Sequence, residues 1–160
     1  MTRYAKVHDS EDVAELRRQI EPLVGSPVSR VLLSEGGSLG VHFDTVGSAL
    51  GCRLWIYTVA WRVDGRDAVL AASQDPSEGL EEALGALEGQ RLVGVDIKSL
   101  SLDTTFTFTE HTLRVFPVFF RSDDEDALYW TLRLPTRHLL GAGPGASWSV
   151  RRPLSAKADG

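Results

Sequence analysis

Cysteine is nearly missing from this chain: Cys52 is the only one in 160 residues. A lone thiol excludes an internal disulfide, cannot supply a thiolate zinc cage, and suits a reducing compartment. Lysine is scarce too, three against fourteen arginines, and the acids outnumber the bases 22 to 17 for a net charge of −5. That excess disfavours non-specific attraction to a phosphate backbone, although it leaves room for a local basic patch. No unbroken apolar run approaches the ~20 residues of a membrane helix. The opening MTRYAKVHDS lacks the core of a signal peptide. A soluble cytoplasmic protein without membrane contact is expected.

What is present is an ordinary globular composition, 42% hydrophobic and 24% charged. Its most apolar stretch is LWIYTVAWRV, residues 54–63. Both alternating faces are apolar, which reads as one strand buried above and below. The same text returns 59 positions later, Leu54 falling on Leu113, Val59 on Val118, Arg62 on Arg121, Asp64 on Asp123 and Asp67 on Asp126. An offset of 64 places Leu16 on Leu80, Ile20 on Leu84, Gly25 on Gly89 and Val31 on Val95. We read an internal duplication, with repeats over about 10–73 and 75–151, in a single domain spanning 1–160. The tail 152–160 is expected to be mobile.

Local signals fill in the elements. Residues 1–9 read as a polar lead-in. Ser10 is placed as a helix N-cap ahead of Val13, Leu16 and Ile20, and Pro22 ends that helix. Gly36-Gly37 marks a hairpin between Val28–Leu33 and Leu39–Phe43, and Asp64–Asp67 marks a second turn. Asp75-Pro76-Ser77-Glu78 has the pattern of a capping box before Leu80, Ala83, Leu84 and Leu87. Further strands follow at 92–97, 102–109, 113–120 and 128–134, and GAGPG at 141–145 is read as a loop. The fold class that results is α+β: two pseudo-symmetric helix-plus-four-strand repeats, mostly antiparallel sheet with helices packed on it.

Chemistry-bearing motifs are few. His8, His42, His111 and His138 show neither HxH nor HExxH spacing, and no serine sits in a nucleophile elbow, so no catalytic residue, metal or cofactor is assigned. Asp123, Asp124, Glu125 and Asp126 form a compact negative turn able to receive a basic partner. Phe119, Trp130 and Trp148 are candidates to line a pocket between the repeats. The stretch Leu23–Asp44, with Leu23-x-Gly25-x-x-Val28, a glycine turn and an alternating strand ending Phe43-Asp44, resembles the opening motif of Sm-like RNA-binding barrels. The resemblance covers about 22 residues and implies a bent antiparallel sheet and, with it, RNA binding.

The expectation is a small cytoplasmic protein of the immunity or adaptor kind that works by stoichiometric binding of another protein. A small-molecule-binding module with a pocket between the repeats and an Sm-like RNA-binding module are the alternatives. Nucleic acid is disfavoured by the net charge, and homo-oligomerisation is left open.

Overall fold

The computed structural model describes residues 4–45, 51–57, 59–124 and 126–154. Strand β1 (Tyr4–Ser10) leads into helix α1 (Val13–Ile20). Asp12, not Ser10, caps α1: its carboxylate accepts from the N–H groups of Ala14 and Glu15, while the Ser10 hydroxyl accepts from the Asp12 N–H one step earlier. Val13, Leu16 and Ile20 are its buried face. Pro22 tightens the end into a 3-10 turn (Glu21–Leu23), and Gly25 leaves it at φ +92°.

Strands β2 (Val28–Leu33), β3 (Leu39–Phe43) and β4 (Cys52–Ile56) form a meander, followed by the hairpin β5 (Ala60–Asp64) and β6 (Val69–Ala72). Helix α2 (Leu80–Leu84), its 3-10 turn (Gly85–Leu87) and Gly89 at φ +85° repeat the way α1 hands over to β2. Another meander follows, β7 (Leu92–Ile97), β8 (Thr104–Phe108) and β9 (Thr112–Phe116). A longer connection leads to β10 (Trp130–Arg133), β11 (Leu139–Gly143) and β12 (Ser147–Pro153).

These strands make two antiparallel sheets, one in the order β1-β12-β11-β10-β4-β3-β2 and the other β6-β5-β9-β8-β7. Each meander is therefore extended by strands from the other part of the chain: β4 pairs with β10, and β9 pairs with β5. The inward faces close over one core, where Phe43 stacks on Phe108 and Trp130 meets Phe106 edge-on. Where the two helix-to-strand junctions meet, hydrogen bonds are reciprocal. Gly25 N–H donates to Leu92 O and Gly89 N–H to Val28 O, at 2.7 and 2.8 Å. Val28 N–H donates to Gln90 O and Leu92 N–H to Ser26 O. The two junctions thus exchange hydrogen bonds pairwise.

The architecture is α+β-like and mostly antiparallel sheet with only two short helices, and it departs from helix-plus-four-strand units. Five strands follow α1 and six follow α2. The run 54–63 is not one strand; it crosses from one sheet to the other. Leu54 and Ile56 point inward in β4, whereas Val59, Trp61 and Val63 do so afterwards, so the inward parity switches at the crossing. Its two apolar faces come from that switch. The lead-in at 4–10 is a strand paired to β12, because its polar side chains face solvent along a ladder that residues 148–153 complete. The capping box at 75–78 does not form. Asp75 instead accepts from Ala72 N–H at the end of β6, and Gly79, at φ +77°, precedes α2. Part of GAGPG is strand β11, with the turn confined to 144–146. Of the tail, Arg152 and Pro153 belong to β12 and residues 155–160 lie outside the described residues.

Candidate binding face

Register across the seven-stranded sheet lines up side chains that the sequence scatters over more than a hundred positions. Arg30 stands opposite His42, His42 opposite Arg53, Arg53 opposite Arg133, Arg133 opposite Leu139, Leu139 opposite Arg151, and Arg151 opposite Lys6. Directly opposed residues share a face. The adjacent row, Val31, Val41, Leu54, Leu132 and Leu140, points into the core, so this one points out. One rung of the outer face is thus Arg30, His42, Arg53, Arg133, Leu139, Arg151 and Lys6.

The charges in this row are poorly compensated. Lys6 pairs with Asp9 at 3.2 Å, and among the described residues Arg151 has only Asp126 at 4.0 Å. Among the described residues Arg30, Arg53 and Arg133 make no salt bridge, and the buried Nε atoms of Arg133 and Arg151 have no hydrogen-bond partner. His42 sits among them with its own Nε2 buried and unpartnered. Burial, and then Arg53, Arg30 and Arg133, hold its pKa below the ordinary histidine value. Like charges directly opposite one another on neighbouring strands are destabilising. This protein carries 22 acids and places none of them on the rung.

The five-stranded sheet shows the contrasting solution. Asp64 lies one rung beyond the Val63–Leu113 pair, as Arg133 lies one rung beyond Leu132–Leu54. There Asp64 takes Arg62 in a two-pronged pair at 2.6 and 3.1 Å and Arg114 at 2.8 Å, and the Arg62 contact leads in holding its carboxyl below the usual range. Two outer arginines of one sheet share a carboxylate; on the other, Arg53 directly faces Arg133, with no carboxylate paired to either among the described residues.

Aromatic side chains accompany the row. Trp55, two residues along β4 from Arg53, lies over Gly40, where a Cβ would come within 2.7 Å of the indole; only glycine fits beneath that ring. The Arg53 guanidinium is 5.5 Å from the indole centroid, a cation–π contact. Tyr57 follows, its hydroxyl 3.5 Å from Thr131 Oγ1.

The residues singled out from the sequence fall elsewhere. Asp123, Asp124 and Asp126 are exposed in the connection between β9 and β10, which belong to different sheets, so they are not a hairpin turn matching Asp64–Asp67. The register equates Trp61 with Trp130 and Val63 with Leu132, not Arg62 with Arg121 or Asp64 with Asp123. The offset of 59 holds for β4 and β9 and fails beyond them, where the connection to β10 is longer than that from β4 to β5. Glu125 lies outside the described residues. Exposed Val118 and Phe120 flank the acids. Phe119 packs edge-on against Tyr129, while Trp130 is fully buried and donates to Thr104 Oγ1 at 3.2 Å. Trp148 is set apart from both, beside His8 and with its indole N–H on Asp12 O, in a groove of about 610 Å³ between α1 and β12.

No family model matches the chain, and no curated protein or solved structure is found similar to it. Function rests on the site alone.

Cys52 is buried, its thiol 3.9 Å from the Thr45 hydroxyl and its pKa pushed up by burial, while His111 contacts Gln90, so the two do not form a dyad. Among the described residues no helix is long and apolar enough to cross a membrane. The cation row was missed because its members occupy separate sequence segments and no local pattern joins them. Only the arginine excess hinted at it.

Proposed function

We propose that this protein works by stoichiometric binding and that its partner is anionic, held on the outer face of the seven-stranded sheet. The observation that carries this reading is the uncompensated rung Arg30, Arg53, Arg133, set against the Asp64-neutralised arginines of the other sheet. A fold that tolerates opposed like charges loses stability by it, and a bound anion returns that loss. Replacing Arg133 by Asp puts a carboxylate opposite Arg53 and removes the opposed like charges. The variant is expected to fold normally and to lose polyanion binding, read by titration of a fluorescent polyanion. Retained binding would remove the row from the function.

A second reading is favoured by the connection 117–129. It places Val118 and Phe120, both more than half exposed, beside Asp123, Asp124 and Asp126. An apolar anchor rimmed by acids suits a protein partner with a basic surface. Changing the three aspartates to Lys separates the readings, since it weakens a basic partner and strengthens a polyanion.

We propose further that the chain is a duplicated helix-plus-strand unit whose closing strands have changed places. Support comes from the reciprocal bonds at 25–28 and 89–92, from the shared irregularities of β2 and β7 at Val28/Arg30 and Leu92/Gly94, and from matching exits at Gly25 and Gly89.

A further inference from the structure

The reading of the seven-stranded sheet as an anion-binding face leaves the anion unnamed, and the aromatic side chains on that face narrow it. We infer that the ligand is a single-stranded nucleic acid, its phosphates on Arg30, Arg53 and Arg133 and a base on Trp55. This inference rests on the anion-binding reading.

Three features carry it. First, the cations form a line across the strands rather than a cup. With neighbouring strands about 4.8 Å apart, Arg30 on β2 and Arg133 on β10 are separated by three strand spacings, a track suited to an extended chain of charges more than to one small anion. Second, Trp55 is half-buried against Gly40, where a Cβ would collide with its ring, and the Arg53 guanidinium lies over that ring at cation–π distance. When the exposed Arg53 swings from the indole to a phosphate, the ring it covered offers a base its π face, the combination that single-strand binders use. Third, the half-buried Tyr57 ends on the same face, its hydroxyl 3.5 Å from that of the buried Thr131, and can offer a hydrogen bond to a sugar or a base edge. An acidic peptide would engage the arginines equally well and would make no use of Trp55 over its glycine. A net charge of −5 does not oppose the inference, because binding follows the local field of the row, and Debye screening removes most of the influence of distant acids.

The test titrates the full chain with three probes of matched charge: a single-stranded oligonucleotide, the same oligonucleotide with abasic sites, and polyglutamate. The intact oligonucleotide is expected to bind with a log–log salt slope of about −2, from three phosphate contacts. Arg133→Gln should lower the magnitude of that slope by about 0.7. Trp55→Ala, checked by circular dichroism, should weaken the intact oligonucleotide about tenfold and leave the other two probes unchanged. The abasic strand, which changes no residue of the protein, should bind wild type about as weakly as the intact strand binds that variant. Equal affinity for intact and abasic strands, or tighter binding of polyglutamate, would overturn the nucleic-acid assignment while leaving the anion-binding face in place. Absence of binding to all three probes would overturn both.

Discussion

At the scale of the residue, two buried groups show how the core and the outer face were set against different constraints. Trp130 donates its indole N–H to Thr104, whereas the matching Trp61 has a buried Nε1 with no partner. Register explains the difference. Thr104 opposes Val115, the neighbour of Trp61, just as Leu39 opposes Ile56, the neighbour of Trp130, so Leu39 occupies the position corresponding to Thr104. Leu39→Thr should therefore melt higher than Leu39→Val, its isosteric control, by the worth of one hydrogen bond, about 1 kcal/mol. Equal melting of the two would break the correspondence. His42 makes the second residue-scale prediction. Its folded pKa lies below the unfolded value of 6.5, so the unfolded chain takes up the proton first as pH falls. Its stabilising contribution is complete above the unfolded pKa and is lost as pH falls below it. Chemical denaturation at pH 7.5 and 5.5 should show a loss at the lower pH that His42→Asn reduces.

At the scale of the element, the helix exits at Gly25 and Gly89 and the Gly36-Gly37 hairpin were the most legible parts of the sequence, and the helix starts and strand partnership the least. Gly25 and Gly89 stand at the ends of their helical turns with φ of +92° and +85°, and a Cβ would touch nothing at either. The cost of Gly→Ala there is backbone strain alone, about 1–2 kcal/mol at each position, and nearly equal for the two. Denaturant midpoints of the single variants check this, and a strongly unequal pair would contradict matched exits. The periodicity of 39–43 and 113–116 was also readable, because each keeps one inward parity, whereas in 28–33 and 92–97 a bulge moves the inward side chains from Val28 to Val31 and Leu33 and from Leu92 to Val95 and Ile97. The run 54–63 deceived for a physical reason. Its inward side chains change from Leu54 and Ile56 to Trp61 and Val63 as the chain passes between sheets, and such a switch has the same local pattern as burial on both faces. β1 was missed because four of its seven residues are exposed, and its ladder partner, β12, lies at the other end of the chain.

At the scale of the whole molecule, neither meander has its next strand from its own side of the chain. β4 is completed by β10 and β9 by β5, so both sheets need both parts. A protease site introduced at the exposed stretch 76–78 should, after cutting, yield two fragments that co-elute and melt in one transition. Fragments that separate and fold as independent monomers would contradict that interdependence. The same exchange assembles the candidate face, since Arg30, His42 and Arg53 come from the first meander and Arg133 from a strand beyond the second. The candidate site was consequently far less legible than the fold. The acidic turn at 123–126 is contiguous and visible in the sequence, whereas the cation row exists only once strand order and register are known.

The most direct measurement joins stability to binding in one variant. Arg133→Asp places a carboxylate opposite Arg53, as Asp64 stands among Arg62 and Arg114 in the other sheet. Removal of an opposed like-charge pair and gain of a partly exposed ion pair should raise stability by about 0.5–1 kcal/mol, while affinity for a single-stranded oligonucleotide at low salt falls below detection. A variant that melts lower than wild type, or that binds the oligonucleotide equally well, would contradict the assignment of this face.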